Sequence, residues 1–269
     1  MDHLLAQLSA RVRDARSIVV LTGAGVSAES GIRTFRDTME GLWKEFDPAR
    51  LATPEAFAAD PELVTRWYDW RRLGCLAAEP NPGHMALADL ERQQRSKHNP
   101  QSPGGAMGFT LLTQNVDRLH QRAGSVNVVE LHGSILQWRC CKTGDKTTPP
   151  PEAFKEFPPR STCGALLRPD VVWFGETLPP EALDAADDAV ASCDVFISIG
   201  TSSVVYPAAG YIQQACARGR VHGRDQPRRN SDQPLCGCEP PRKERRGAAR
   251  TSPPALLRAD RASDRVPSS

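Results

Sequence analysis

His132 follows the apolar run "VNVVEL" and precedes Gly133. An imidazole at the end of a buried strand is placed to act as a general base near neutral pH. Three further apolar runs end in polar clusters. "SIVVL" runs into Thr22-Gly23-Ala24-Gly25, "FTLL" into Thr113-Gln114-Asn115-Val116-Asp117, and "VFISI" into Gly200-Thr201-Ser202-Ser203. Gly23 and Gly25 let a backbone come close to a phosphate, Ser27 can hydrogen-bond to it, and a helix start near Ala28 would add a favourable dipole. The dinucleotide fingerprint also asks for a third glycine, but Ala28 stands at that position and Gly31 comes three residues too late. Gln114, Asn115 and Asp117 supply amides and a carboxylate that orient a ligand, and Thr201 and Ser202 supply hydroxyls. Each cluster also has a plainer reading as turn formers or helix caps. His3, His84, His98, His120 and His222 lack the strand-end placement and read as structural or surface residues.

The elements between the runs suit a doubly wound parallel sheet. Pro180 opens "PEALDAADDAV" and Pro207 opens "PAAGYIQQACAR", with Gly219 as a stop. Strands alternating with helices predict an α/β, Rossmann-like fold, whose ligands sit beyond the carboxyl ends of the strands. All four clusters fall at that edge. Two regions interrupt the alternation. Residues 33–80 are rich in Trp, Arg and helix formers, and residues 138–166 hold Cys140, Cys141 and Cys163 around a Pro-rich loop. Together they predict a smaller module inserted in the larger domain. Residues 92–108 read as a surface loop.

The chain has 269 residues, 39% of them hydrophobic, and a net charge of +2, so its overall balance makes no case for nucleic acid. No apolar run approaches the roughly 20 residues that span a bilayer. The N-terminal stretch places Leu4, Leu5, Leu8 and Val12 on one side, which predicts an amphipathic helix and not a signal peptide. A cytoplasmic protein is the expectation. The eight unevenly spaced cysteines do not suggest a disulfide scaffold. Residues 221–269 differ from the rest: 11 Lys+Arg against 6 Asp+Glu, seven prolines, and no Ile, Phe, Trp, Tyr or Met. That composition predicts a disordered tail after a core of residues 1–220.

The segments "GAGVSAESGIRTFR", "TQNVDRLH", "ELHG", "LLRPDVVWFGE" and "IGTSSVVYPAAG", in this order, resemble the sirtuin family of NAD-dependent protein-lysine deacylases. The resemblance covers about residues 10–220. It implies a Rossmann-like domain and a small helical, zinc-binding domain, with NAD and acyl-lysine proteins meeting in the cleft between them. Gly23, Ala24, Gly25 and Ser27 would line the phosphates. Thr34, Phe35 and Arg36 would belong to a mobile cofactor loop, with Phe35 shielding the reacting centre. Gln114, Asn115 and Asp117 would hold nicotinamide and its ribose, His132 would be the base, and Gly200, Thr201 and Ser202 would contact the adenosine side. Val172, Trp173, Phe174, Gly175 and Glu176 would line the acyl-lysine channel. The implied products are nicotinamide, free lysine and O-acyl-ADP-ribose. Tyr68 and Arg71, three apart on a helix, match the Tyr-x-x-Arg pair of the desuccinylase-type members, which implies succinyl- and malonyl-lysine as well as acetyl-lysine.

Two departures from the family stand out. Zinc-binding members carry two Cys-x-x-Cys pairs. Here only Cys140 and Cys163 match as candidate metal ligands, and Thr143 and Arg160 occupy the partner positions, which leaves two readings, a weak, incomplete zinc site or a zinc-free module. After "YIQQACARGR" the family continues with a strand that completes the sheet and contacts the adenine ribose, whereas this chain continues with "VHGRDQPRRNSDQPLCGCEPP". A shifted reading frame in a GC-rich gene accounts for such a composition. A missing strand, with the adenosine-site segment that follows it, would leave a catalytically impaired protein that binds NAD or ADP-ribose, and this second reading stands beside the deacylase. The Arg-rich run gives only weak support for nucleic-acid contact.

Overall fold

The computed structural model describes residues 2–32, 47, 51–97, 108–201, 206–219 and 221–225, side chains being described outside 2–5 and 221–225. Thr34, Phe35, Arg36 and Ser202, named above as site residues, lie outside the described residues, as does the chain beyond Asp225. Everything described belongs to one compact unit.

The larger part is a five-stranded parallel sheet. Its strands are β1 (Ile18–Thr22), β2 (Phe109–Thr113), β3 (Val128–Glu130), β7 (Val195–Ile199) and β8 (Val221–Asp225), in the spatial order β3-β2-β1-β7-β8. Ile18 is level with Phe109 on one side and Val195 on the other, so β1 lies at the centre and is wholly buried. A central strand buried on both faces must be apolar throughout, and "IVVLT" meets that demand. The two-residue period divides its side chains between two layers. Val19 and Leu21 pack toward helices α6 (Pro180–Ser192) and α7 (Ala208–Ala217) through Ala186, Val190, Ala208 and Tyr211. Ile18 and Val20 face the other way, onto helices α1 (Asp2–Asp14) and α4 (Pro82–Lys97) through Leu8, Val12, Leu87 and Leu90. The chain order leaves β1 in one direction toward β2 and β3 and returns on its other side at β7, so the topological switch point lies between β1 and β7.

The smaller part combines helices α2 (Pro54–Ala59) and α3 (Pro61–Ala77) with an antiparallel sheet of β4 (Gly133–Cys140), β5 (Lys146–Thr147) and β6 (Leu167–Val171). Thr53 and Asp60 cap the two helices by accepting from Ala56 N–H and Leu63 N–H, and each helix has proline at its start. Trp67, Tyr68, Trp138 and Trp173 fill the core between helices and sheet. A short helix, α5 (Leu119–Arg122), follows the end of β2. Among the described residues no helix is long and apolar enough to cross a membrane.

Three expectations need correction. Residues 92–97, read above as part of a surface loop, continue helix α4 to Lys97. The turn after β1 is a seven-residue 3₁₀ segment, Ala24–Ser30, ended by Gly31 at φ 81°, not an α-helix beginning near Ala28. The segment Val221–Asp225, assigned above to a structureless tail, is the parallel edge strand β8, in register with Val195–Ile199. "VHGRD" has little strand propensity of its own, but β7 offers it a ready ladder of backbone donors and acceptors. Completion of the sheet removes the missing strand as a ground for regarding the chain as impaired.

Candidate functional site

The carboxyl ends of β1, β2 and β7 meet at the switch point. There the two glycine turns press directly on each other. Gly25 N–H donates to the Gly200 carbonyl (2.8 Å) and Gly23 N–H to the Ile199 carbonyl (3.1 Å). A Cβ on Gly25 would lie 2.7 Å from the Gly200 oxygen, and one on Gly23 would lie 2.8 Å from Thr201 Cβ. Gly200 has φ 62°, and a Cβ there would stand 2.4 Å from Val26 N. The glycines are therefore required by contact between the two turns, a reason different from the close phosphate approach read from the sequence.

Below the turns lies a buried polar network. The Ser27 hydroxyl donates to Asp117 Oδ2 (2.8 Å) and accepts from Asn115 Nδ2 (3.0 Å). Asp117 Oδ1 accepts from Leu119 N–H (2.9 Å), so both carboxylate oxygens are engaged. Ser27 is thus turned into the protein, 1% exposed, with its hydrogen committed to Asp117 and not directed toward an outer phosphate. Behind it stand two residues that the sequence reading set aside. His84 Nδ1 accepts from Asn81 N–H (3.2 Å), which puts the hydrogen of the neutral ring on Nε2, 3.4 Å from Ser27 Oγ. Asn81 serves both sides. Its Nδ2 donates to the Val26 carbonyl (2.7 Å) and to Ser30 Oγ (3.1 Å), and its Oδ1 accepts from Gly83 and His84 N–H at 2.9 and 3.3 Å. Asn81 thereby fixes the start of α4 against the 3₁₀ segment. His120 packs on His84 with ring centroids 4.8 Å apart, and its Nε2 lies 3.0 Å from Thr22 Oγ1. Thr22 donates to Thr113 Oγ1 (2.9 Å), which also accepts from Asn115 N–H (3.1 Å). Burial holds the His84 ring below the usual imidazole pKa, with Asp117 pulling the other way. Burial, with a smaller contribution from His84, pushes His120 down to about 3.

His132 lies just after β3, and its ring is held to the end of β2. Its Nδ1 is 3.1 Å from the Gln114 carbonyl, which can only accept, so Nδ1 carries the ring hydrogen and Nε2 keeps the basic lone pair. Burial lowers its pKa, and the Gln114 bond opposes the shift. Gln114 Nε2 in turn donates to Thr201 Oγ1 (2.9 Å), linking the ends of β2 and β7. Arg118, next to Asp117, is the one described non-glycine residue at positive φ (60°). Its guanidinium makes two bonds to Glu130, at 3.1 and 3.2 Å, two residues before His132.

The segment after β6 lies alongside His132, with Val172 N–H donating to the His132 carbonyl (3.0 Å). Val172, Trp173, Gly175 and Glu176 line a cleft of about 1150 Å³ together with Phe57 and Arg168. Phe174 is half-exposed beside it. Trp173 packs on Phe57 and Tyr68, with centroids 5.3 and 6.1 Å apart, and Arg168 covers its other face at 3.3 Å. Arg168 grips Glu176 with two bonds, at 2.6 and 2.9 Å, and Glu176 Oε2 accepts from Trp173 N–H (2.9 Å). Burial opposes ionisation of Glu176, but these bonds outweigh it and hold its carboxyl below the usual range. Glu176 therefore lines the cleft with both carboxylate oxygens engaged by Arg168 and Trp173 N–H. Arg168 was not singled out from the sequence, although it stands in the quoted "LLRPDVVWFGE". Tyr68 and Arg71 do share a face of α3. The Arg71 guanidinium lies 4.9 Å from the Trp67 ring centroid and 5.8 Å from that of Tyr68. Burial pushes the Tyr68 phenol up to about 12, the Arg71 charge opposing it.

The cysteine module does not fit a closed zinc site. Cys140 and Cys163 are side by side, but Thr143 Oγ1 donates to Asp145 and Arg160 to the Gly164 carbonyl. Among the described residues no group of three or more His, Cys, Asp or Glu is arranged to hold a metal. Hydrogen bonding from Ser161, then from Thr143, draws the Cys140 thiol down to about 6.

Fold and site define a doubly wound α/β protein with a buried polar network at the sheet's switch point, a candidate base held to the end of β2, and a cleft lined by the segment after β6. A family model described as the Sir2 family matches residues 23–207, and the chain belongs to that family. It is 49% identical over 226 residues to the NAD-dependent protein deacylase of Methylococcus capsulatus, covering 81% of this chain and 82% of the relative. It is 51% identical over 215 residues to the NAD-dependent protein deacylase of Thermus thermophilus, covering 80% and 81%. Among solved structures it resembles a Sir2 homologue in complex with NAD, at TM-score 0.71 and 44% identity over 81% of each chain. It also resembles Sir2 bound to acetylated peptide, at TM-score 0.69 and 30% identity over 82% of this chain and 85% of that one.

Proposed function

We propose that this protein removes acyl groups from lysines of other proteins, consuming NAD and releasing nicotinamide and O-acyl-ADP-ribose. The observation that carries this reading is the His132 ring, whose Nδ1–H bond to the Gln114 carbonyl leaves Nε2 as the basic nitrogen, on a residue whose carbonyl accepts from Val172 N–H at the start of the Val172–Glu176 segment. A protein that only binds NAD or ADP-ribose has no need of a base so held. The carboxyl ends of β1, β2 and β7 meet at the switch point, where such sheets bind their ligands, and NAD would lie there with Gly200, Thr201 and the 3₁₀ turn on the adenosine and phosphate side and Gln114, Asn115 and Asp117 on the nicotinamide side. Bound there, NAD supplies a ribose carbon that accepts the acyl oxygen as nicotinamide departs. His132 Nε2 takes the proton of a ribose hydroxyl, and its lowered pKa keeps it unprotonated at neutral pH. The amide of Asn115 is oriented by Ser27, which Asp117 and His84 fix in turn. The cleft formed by Val172–Glu176 receives the acyl-lysine peptide, extended as an added strand.

For the acyl group, the preferred substrates are succinyl- and malonyl-lysine, with acetyl-lysine also accepted. Support comes from Arg71, a cation held at the aromatic floor of Trp67 and Tyr68, next to Trp173. The deciding assay is nicotinamide release dependent on an acyl-lysine peptide. Wild-type protein is expected to release nicotinamide only with the peptide present, and His132→Ala to keep the fold and NAD binding but lose turnover. Near-normal product formation by the folded variant would remove His132 as the base, and NAD binding with no peptide-dependent release would favour the binding-only reading.

A further inference from the structure

Cys140 ends β4, and Cys163 lies in the loop that returns to β6. Their sulfurs are 3.6 Å apart, with Ser161 Oγ 3.3 Å from the first and 3.1 Å from the second. Cys140 is buried and Cys163 exposed, and both are free thiols. The two positions that would complete a metal site are a hydroxyl and a guanidinium engaged elsewhere. We propose that Cys140 and Cys163 form a reversible disulfide, the covalent closure available to a module that lacks a full set of metal donors.

Among the described thiols, this is the pair whose sulfurs lie side by side. A disulfide needs sulfurs about 2.05 Å apart, so this pair must close by about 1.5 Å, within the reach of side-chain rotation at the tip of an exposed loop. Cys141, also exposed, adjoins Cys140 in sequence but has no sulfur contact with Cys163 among the described bonds. Cys75 shares a packed cluster with Cys140, and Cys193 lies in another, both buried among apolar side chains. Ser161 Oγ, close to both sulfurs, can donate to whichever one becomes a thiolate.

The chemistry balances with a small organic disulfide as the oxidant. The exposed Cys163 thiolate attacks a sulfur of oxidised glutathione, the reagent's S–S bond breaks, and one reduced glutathione leaves. The Cys140 thiolate then attacks the Cys163 sulfur of the mixed disulfide and expels the second glutathione. Two protein thiols are oxidised, one reagent disulfide is reduced to two thiols, and the two protons lost by the protein are taken up by the departing thiolates.

The bond would act beyond its own loop. The stretch between the two cysteines docks on α3, where Arg72 donates to the carbonyls of Pro150 and Glu152 (2.6 Å each) and Asp69 accepts from Phe154 N–H (3.1 Å). The same helix carries Tyr68 and Arg71. Tying the two ends of the stretch together restricts it in the unfolded chain and braces its seat on α3.

The test uses the full chain, incubated in oxidised or reduced glutathione, alkylated, digested and analysed by mass spectrometry, with parallel urea melts. The expected result is a Cys140–Cys163 linked peptide pair, two fewer alkylatable thiols, and a higher urea midpoint for the oxidised protein, all reversed by reduction. Cys163→Ser should abolish both changes, while Cys141→Ser should keep them. A dominant Cys141–Cys163 link, or a stable glutathione adduct on Cys163 with Cys140 still free, would overturn the pairing. Stoichiometric zinc in the purified reduced protein that shields both thiols from alkylation would overturn the replacement of metal by a disulfide.

Discussion

His120 makes the NAD-side network sensitive to acid. Thr22 gives its hydroxyl hydrogen to Thr113, so His120 Nε2 must donate to Thr22. A second ring proton would have to sit on Nδ1, which is buried without a hydrogen-bond partner. It would also create a charge 4.8 Å from the His84 ring. The ring therefore stays neutral down to about 3, whereas in the unfolded chain it takes a proton near 6.5. Between these values the unfolded state binds a proton that the folded state refuses, so stability falls as pH falls through that window. At about pH 5 the unfolded imidazole is almost fully protonated and the folded one is not, which costs about 2 kcal/mol relative to about pH 7.5. That figure requires only that the folded pKa lie well below 5. The perturbation is His120→Gln, which keeps a donor within reach of Thr22 and removes the titration. Urea unfolding of both proteins at the two pH values measures it. The wild type should lose about 2 kcal/mol more than the variant on acidification. His84 and His132, also shifted down, remain in both proteins and largely cancel. Equal losses would mean that His120 is protonated in the folded state and would refute the tautomer deduced from Thr22 and Thr113.

The other expectations are narrower. Arg71→Met should lower desuccinylation far more than deacetylation, measured as kcat/KM on matched peptides, and equal losses would remove Arg71 from acyl recognition. Gly200→Ala places a Cβ against Val26 N at a positive φ, so a cost of about 2 kcal/mol or more is expected, with a raised KM for NAD and a lower Tm. The Arg118–Glu130 pair holds Arg118 in a conformation that costs about 1–2 kcal/mol for a residue with a Cβ. Arg118→Gly should therefore stabilise a Glu130→Gln protein more than it stabilises the wild type, a difference that a double-mutant cycle in urea resolves. Because His132 titrates below its ordinary range, the acidic limb of the kcat/KM profile should fall below about pH 6.5. A limb above that value would place the base in a different environment.

The strand ends were legible because burial and chemistry alternate there. "SIVVL", "FTLL" and "VFISI" are apolar to the last turn, and the residues that follow can only be turns or ligands. His132 was legible for the same reason. Asn81 and His84 were not, because "NPGHMA" reads as an ordinary helix start. Their role comes from the packing of α4 against Val26 and Ser30, more than 50 residues away in sequence. His120 read as a structural or surface residue, and only the three-dimensional meeting of β1 with α5 gives it Thr22 as a partner. Gly23 and Gly25 were recognised as necessary, but the reason is set by Gly200, in the turn after β7 and 175 residues beyond Gly25. β8 was missed because its residues carry almost no strand signal, and a neighbour's unpaired edge determined its conformation.

Asn81 has a further property that its hydrogen bonds alone do not convey. Its amide must offer oxygen to the start of α4 and nitrogen to the Val26 carbonyl. Conversion to aspartate would set a carboxylate oxygen against that carbonyl, two acceptors with no hydrogen between them. The usual route to that damage is attack on the side-chain amide by the backbone nitrogen of the following residue. Here the following residue is Pro82, whose nitrogen carries no hydrogen and closes that route. The proline that begins α4 thus also gives the amide a long chemical lifetime. In an ageing preparation, the pocket should outlast asparagines whose neighbours leave them open to deamidation.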